Sequence, residues 1–287
     1  MSASVYPRHG GGDRRPTASF PVPQRAAIKF FRRVAQITIG IFLEVGWRVH
    51  FLREIMRAVG EPRTWLPLTI KQMKNIGVDS LPLAGIVAAF IGAVTAYQTV
   101  YQLFPGVQLS AVGWIVRQSV VLELGPLLTA LVLAGRVGAR MTAEIGTMRV
   151  TEQIDALETL AYDPIAYLVM PRTVASLTMV PLLTILAIAI GIVFGGLTVI
   201  AATKVRLTDY TSGLRLTFIP FQVYYALIKA TLFGTSIALI CSYEGYVTET
   251  GAEGVGRSTA RAVVISSVVI LLLDALTALY LAPALAP

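Results

Sequence analysis

Residues 81–104 contain no Asp, Glu, Lys or Arg, and this uncharged run limits the possible folds more than any other feature. At about 1.5 Å per residue a helix of that length crosses a hydrocarbon core of roughly 30 Å. Four more apolar stretches follow, at about 110–133, 167–202, 221–243 and 262–284. The fold class read from them is an all-α integral membrane protein with five transmembrane helices. In the first span Ala84, Ala88, Gly92 and Ala96 recur every fourth residue, and the third carries Gly191-x-x-x-Gly195. Small residues at that spacing let another helix approach closely.

Composition agrees: 55% of residues are hydrophobic and 14% charged, whereas soluble domains carry about 25% charged residues. The net charge of +8 sits entirely in residues 1–80, which hold 13 basic and five acidic residues; residues 81–287 hold 11 of each. A basic balance can signal nucleic acid, but no aromatic-interleaved groove or DNA motif accompanies it. Anionic lipid headgroups are the expected counter-charge, and no nucleic-acid partner is expected.

Residues 1–24 read as a disordered tail rich in Gly, Pro and Ser. Residues 1–27 lack the apolar stretch of a cleavable signal peptide, and the segment is short for a plastid transit peptide, although the Arg and Ser content fits one. From residue 25 the pattern turns amphipathic: Arg25, Lys29, Arg32 and Arg33 share one helical arc, and Ile28, Phe30, Phe31 and Val34 share the other. This predicts an interfacial helix anchored by those four cations. A second surface stretch is expected at 65–77, so that 25–80 forms an interfacial segment and 81–287 the membrane domain. With five spans, the N-terminal segment, loop 134–163 and loop 244–261 share one side and carry 18 Lys and Arg, against three on the other. The positive-inside rule places that side, and the N-terminus, in the cytoplasm.

No Gly-Lys dipeptide, and hence no P-loop, is present. His9 and His50 have no metal-ligand companions, no Gly-x-Ser-x-Gly elbow occurs, and the glycine-rich run 251–256 reads as a flexible turn. No metal, cofactor or catalytic residue is expected. Cys241, the single cysteine, lies in an apolar run and reads as a packing residue.

Four ionisable residues fall inside the spans: Arg117, Glu123, Lys229 and Asp274. A charge at bilayer depth costs about 2.5–3.5 kcal/mol, so such groups face the bundle interior, a partner or a wet cavity. Arg117 and Asp274 fit structural ion pairs. Glu123 begins Glu-Leu-Gly-Pro, which couples a carboxylate to a helix break, and broken membrane helices line cavities. Three functions stay open at this point: a transport subunit; a secondary transporter or ion- or proton-coupled channel using Glu123, Lys229 and Asp274; and an intramembrane enzyme, which the missing nucleophile and metal sets disfavour. Loop 134–163 holds five acids against three bases, contrary to the charge rule for its side. Its apolar residues suit one or two amphipathic helices with Glu144, Glu152, Asp155 and Glu158 exposed, a surface suited to a protein contact.

The run ELGPLLTALVLAGRVGARMTAEIGTMRVTEQIDALETLAYDP (123–164) resembles the signature of the MlaE/YrbE permeases, and the resemblance continues in MPR (170–172), ALIKATLFG (226–234) and GAEGVGRSTARAVV (251–264). It covers roughly residues 25–284. It implies the permease subunit of an ATP-binding cassette transporter moving phospholipids or related lipids between inner and outer membranes. The implied partners are a second copy of the permease or a paralogue, a periplasmic MCE-domain protein, and a cytoplasmic ATPase docked through Glu144, Arg149, Glu152, Asp155 and Glu158. The implied location is the bacterial inner membrane, and Glu123 and Lys229 match charged positions near the family's lipid cavity. Leu122 stands where some members carry arginine.

Overall fold

The computed structural model describes residues 46–249 and 251–285. The tail and the anchor residues Arg25, Lys29, Arg32 and Arg33 lie outside the described residues. Residues 1–50 and 51–287 are separate compact units. In the first, residues 46–50 are helical; the second carries the membrane domain.

Among the described residues, five helical stretches are long and apolar enough to cross a membrane: Pro62–Gln102, Ser110–Val150, Ile165–Ala202, Phe221–Tyr246 and Ala252–Leu281. After α1, whose described helical residues are 46–58, the first stretch joins α2 (Pro62–Ile76), a single 3-10 turn and α3 (Leu81–Gln102). Pro62 and Pro82 occupy the first turns of α2 and α3, where the missing N–H costs nothing.

The second stretch joins α4 (Ser110–Ser119), a π-helical turn Val120–Leu124, α5 (Gly125–Leu133), a second π-helical turn Ala134–Gly138 and α6 (Ala139–Val150). Residues 134–150, expected to begin a loop, therefore continue the second spanning helix. Its 41 residues extend about 60 Å, twice the hydrocarbon thickness. Polar residues end the hydrocarbon-facing part without ending the helix, because Arg, Met and Glu are good helix formers and no proline follows until Pro164. The helix stops at Thr151, where Glu152 takes a left-handed conformation with φ 58°, and α7 (Gln153–Thr159) follows.

A π-helical turn Ile165–Val169 leads into α8 (Met170–Ala202), then α9 (Leu207–Arg215), α10 (Phe221–Tyr246) and α11 (Ala252–Leu281). The glycine-rich run read as a turn is mostly helix: Gly251, at φ +90°, precedes α11, while Gly254 and Gly256 lie within it.

The small-residue stripes of α3 and α8 meet. A Cβ on Gly92 would overlap the backbone carbonyl of Gly191, and one on Gly195 would come 2.9 Å from the carbonyl of Gly92. A second crossing of this kind joins α4 and α9 through Gly113 and Gly213. One core cluster gathers Ile76, Leu133, Phe233, Ile237, Cys241 and Ile270. Cys241 is fully buried and its carbonyl accepts a hydrogen bond from Thr142 Oγ1 at 2.9 Å, which fits the packing role. The outer faces expose Ile86, Phe90, Val193, Leu197, Leu271 and Leu272, an apolar belt suited to lipid tails.

Candidate functional site: a charged triad within the bundle

The break at Glu123-Leu-Gly-Pro takes the form of a π-helical turn, with the Gly125 N–H donating to the Val120 carbonyl five residues back. In a regular α-helix the carbonyl of Leu122 would accept the N–H of residue 126, and Pro126 has none. Lys229 on α10 reaches this carbonyl from across the bundle, with its Nζ donating at 3.3 Å. The same Nζ donates to Glu123 Oε2 at 2.8 Å. It also forms an ion pair with Asp274 Oδ1 on α11 at 2.5 Å and lies 5.1 Å from the ring centre of Tyr225.

One ammonium thus joins the second, fourth and fifth spanning helices. Its burial explains the number of partners: the Lys229 side chain is 0% exposed, and an isolated buried charge is costly unless paired and hydrogen-bonded. The carboxylates differ, with side-chain exposures of 43% for Glu123 and 12% for Asp274. With both ionised the triad carries one net negative charge, and Glu123 is the member that presents it outward.

Arg117, 3% exposed, is held differently. Its Nη2 donates to the carbonyls of Leu216 at 2.8 Å and Thr217 at 3.4 Å, and its guanidinium lies 5.4 Å from the centre of the Phe218 ring. Trp114 Nε1 donates to Thr217 Oγ1 at 2.9 Å. The ion pair expected of Arg117 is replaced by a clasp on the 216–218 backbone, where Thr217 is left-handed at φ 46°. The ion pair expected of Asp274 is the one with Lys229.

At the other end of the second helix the expected coupling residues separate into distinct environments. Glu144 is half-buried rather than exposed, because it pairs with Arg140 at 2.8 Å and with Arg172 at 3.2 Å. Arg149 pairs with Asp155 at 2.6 Å and lies 5.8 Å from the Tyr246 ring centre. The Tyr246 hydroxyl donates to Glu158 at 3.5 Å, and Glu152 is exposed at the left-handed corner. Ile154 is buried and Leu160 is 68% exposed, so the apolar face of this segment does not extend to Leu160. Sequence reasoning missed the burial of Arg172 and Glu244, 5% and 2% exposed. Both stand near helix ends, where a charge ordinarily reads as surface.

Residues 69–280 match the Permease MlaE family. Over 245 residues the chain is 40% identical to a probable ABC transporter permease protein of Rickettsia prowazekii (strain Madrid E), covering 85% of this chain and 95% of that one. It is 36% identical over 237 residues to the intermembrane phospholipid transport system permease protein MlaE of Haemophilus influenzae (strain ATCC 51907 / DSM 11121 / KW20 / Rd), with 79% and 91% covered. The chloroplastic protein TRIGALACTOSYLDIACYLGLYCEROL 1 of Arabidopsis thaliana is 34% identical over 207 residues, 72% of this chain and 59% of that protein. The family match takes in all three triad residues, and on that match and these identities the chain belongs to the MlaE permease family.

Proposed function

We propose that the chain is the permease subunit of an ABC transporter that moves phospholipids between the inner and outer membranes of a bacterium. It works as a dimer, with a separate cytoplasmic ATPase and a periplasmic MCE-domain protein, and its N-terminus faces the cytoplasm. The name of the Haemophilus relative supports the cargo, and the excess of Lys and Arg on one side supports the orientation. The observation that carries the site is the half-exposed Glu123 carboxylate, fixed by a fully buried lysine inside a membrane bundle. In this arrangement Glu123 accepts hydrogen bonds from the ammonium or hydroxyl groups of a headgroup, and Lys229 and Asp274 act as positioning residues. Among the acids beyond the bilayer, Glu152 suits ATPase docking, being exposed and without a side-chain partner among the described residues.

The test reconstitutes the purified complex with fluorescent phospholipid and compares Glu123→Gln with the unaltered protein. The expected outcome is loss of ATP-dependent lipid transfer, with ATPase co-purification and dimer assembly unchanged. Normal transfer by Glu123→Gln would refute the site. Transfer that needs a proton gradient and no ATPase would favour the ion-coupled reading.

A further inference from the structure

A second polar site lies at the far end of the same helix. The π-helical turn Ala134–Gly138 places Arg136 beside α2, where Gln72, Asn75, Arg136, Arg140, Met141 and Glu144 line a cleft of about 20 Å³. Arg140 and the buried Arg172 are both paired with Glu144. Arg136 is exposed and has no side-chain partner among the described residues, and the half-buried carboxamides of Gln72 and Asn75 make no side-chain hydrogen bond there. Three guanidinium groups against one carboxylate leave a surplus of positive charge next to two uncommitted amide donors. Lys71 and Lys74 stand exposed on α2 beside them.

We propose that this cleft anchors the phosphate of a phospholipid from the cytoplasmic leaflet, with Arg136 as its principal ligand and Gln72 and Asn75 as further donors. The charge and the donor types suit a phosphate, since guanidinium groups pair with its oxygens through charge-assisted, often bidentate bonds. Location decides between a lipid and a free ion. The cleft's apolar wall includes Ile76, Val137 and Met141, and its free space of about 20 Å³ takes one oxygen-sized atom, so a single phosphate oxygen enters while the rest of the lipid stays in the leaflet. The site is separate from the triad, because 13 residues of one continuous helix put Arg136 about 20 Å from Glu123. The proposal rests on the orientation given above, which makes this end of the bundle cytoplasmic.

The test uses the full chain in nanodiscs of dioleoyl phosphatidylglycerol, with Lys74 replaced by a photoreactive phenylalanine analogue and adducts identified by mass spectrometry. A lipid adduct is expected, reduced about tenfold by Arg136→Gln, the loss expected for one charge-assisted bond. Arg136→Lys restores most of it, and added inorganic phosphate leaves it unchanged. Arg136→Gln remains monodisperse, since no partner among the described residues is lost. Equal yield with Arg136→Gln would overturn the proposal, as would adducts to a co-purified protein in place of lipid. Displacement by inorganic phosphate would reassign the cleft to a soluble anion and overturn the lipid assignment. Glu123→Gln leaves this adduct intact, so failure here and failure of the triad reading are distinguishable.

Discussion

Lys229 shows how one buried charge organises its surroundings. Its Nζ lies within 2.8 Å of both the Glu123 and Asp274 carboxylates, so it neutralises one of two negative charges and ties the pair to α10. Replacing it with methionine keeps most of the volume and leaves two facing carboxylates without a cation. Breaking a buried pair in this way costs about 3–5 kcal/mol. The Lys229→Met protein is expected to lose most of its monodisperse peak on size exclusion after mild heating. Lys229→Met with Asp274→Leu removes one uncompensated charge and is expected to recover part of that peak. Exchanging Glu123 and Lys229 is not expected to restore function, because the carboxylate then placed on α10 would face Asp274. A restored peak and restored transport in the exchanged protein would show that Asp274 lies outside the triad's energetics.

Among elements, the crossing of α3 and α8 depends on having no side chain at Gly92. A methyl group there meets the Gly191 backbone, and backbone cannot swing aside as a side-chain end can. Gly92→Ala is expected to lower stability by more than the roughly 1–3 kcal/mol of ordinary overpacking. Gly85→Ala on the same helix, whose Cβ would sit 3.4 Å from Ile190 Cδ1, is expected to be tolerated. Thermal unfolding of the two variants in one detergent checks the contrast. The Arg117 clasp acts on a shorter element. Arg117→Leu removes the donors that hold the carbonyls of Leu216 and Thr217, and the expected result is faster amide exchange at 216–219 with the spanning helices still protected. Unchanged exchange there would mean that the Trp114 bond to Thr217 alone fixes the segment.

At the scale of the whole molecule, the second spanning helix runs without a break from Glu123 of the triad to Val150, two residues before Glu152 of the proposed docking surface. Movement of α6 can therefore reach Glu123 through one rod whose two π-helical turns, Val120–Leu124 and Ala134–Gly138, are the places where its geometry already departs from regular. Of the acids tied to coupling, Asp155 is held by Arg149 and Glu144 by two arginines, so changing either also disturbs folding contacts. Glu152→Lys disturbs none of these pairs and is expected to weaken ATPase co-purification while leaving the permease monodisperse. Full ATPase recovery with Glu152→Lys would move the docking surface elsewhere.

The sequence by itself determined the class of solvent and the number of crossings, because uncharged runs of bilayer length have few alternatives to a spanning helix. It also marked the faces of α3 and α8 that a neighbour approaches closely, since small residues spaced by four report such a face, but not that these two faces meet each other. Glu123, Lys229 and Asp274 were legible as costly intramembrane charges, but not as one cluster. They are separated by 106 and 45 positions in the chain, and only the packing of three helices brings them to a single nitrogen. Nor could hydropathy locate the end of the second helix at Val150 or show Arg172 and Glu144 pairing there. Hydropathy reports where the hydrocarbon ends, whereas helix continuation depends on backbone hydrogen bonds. The partner a charged side chain finds was left to tertiary structure, because local sequence sets the cost of burying a charge and distant residues decide how that cost is offset.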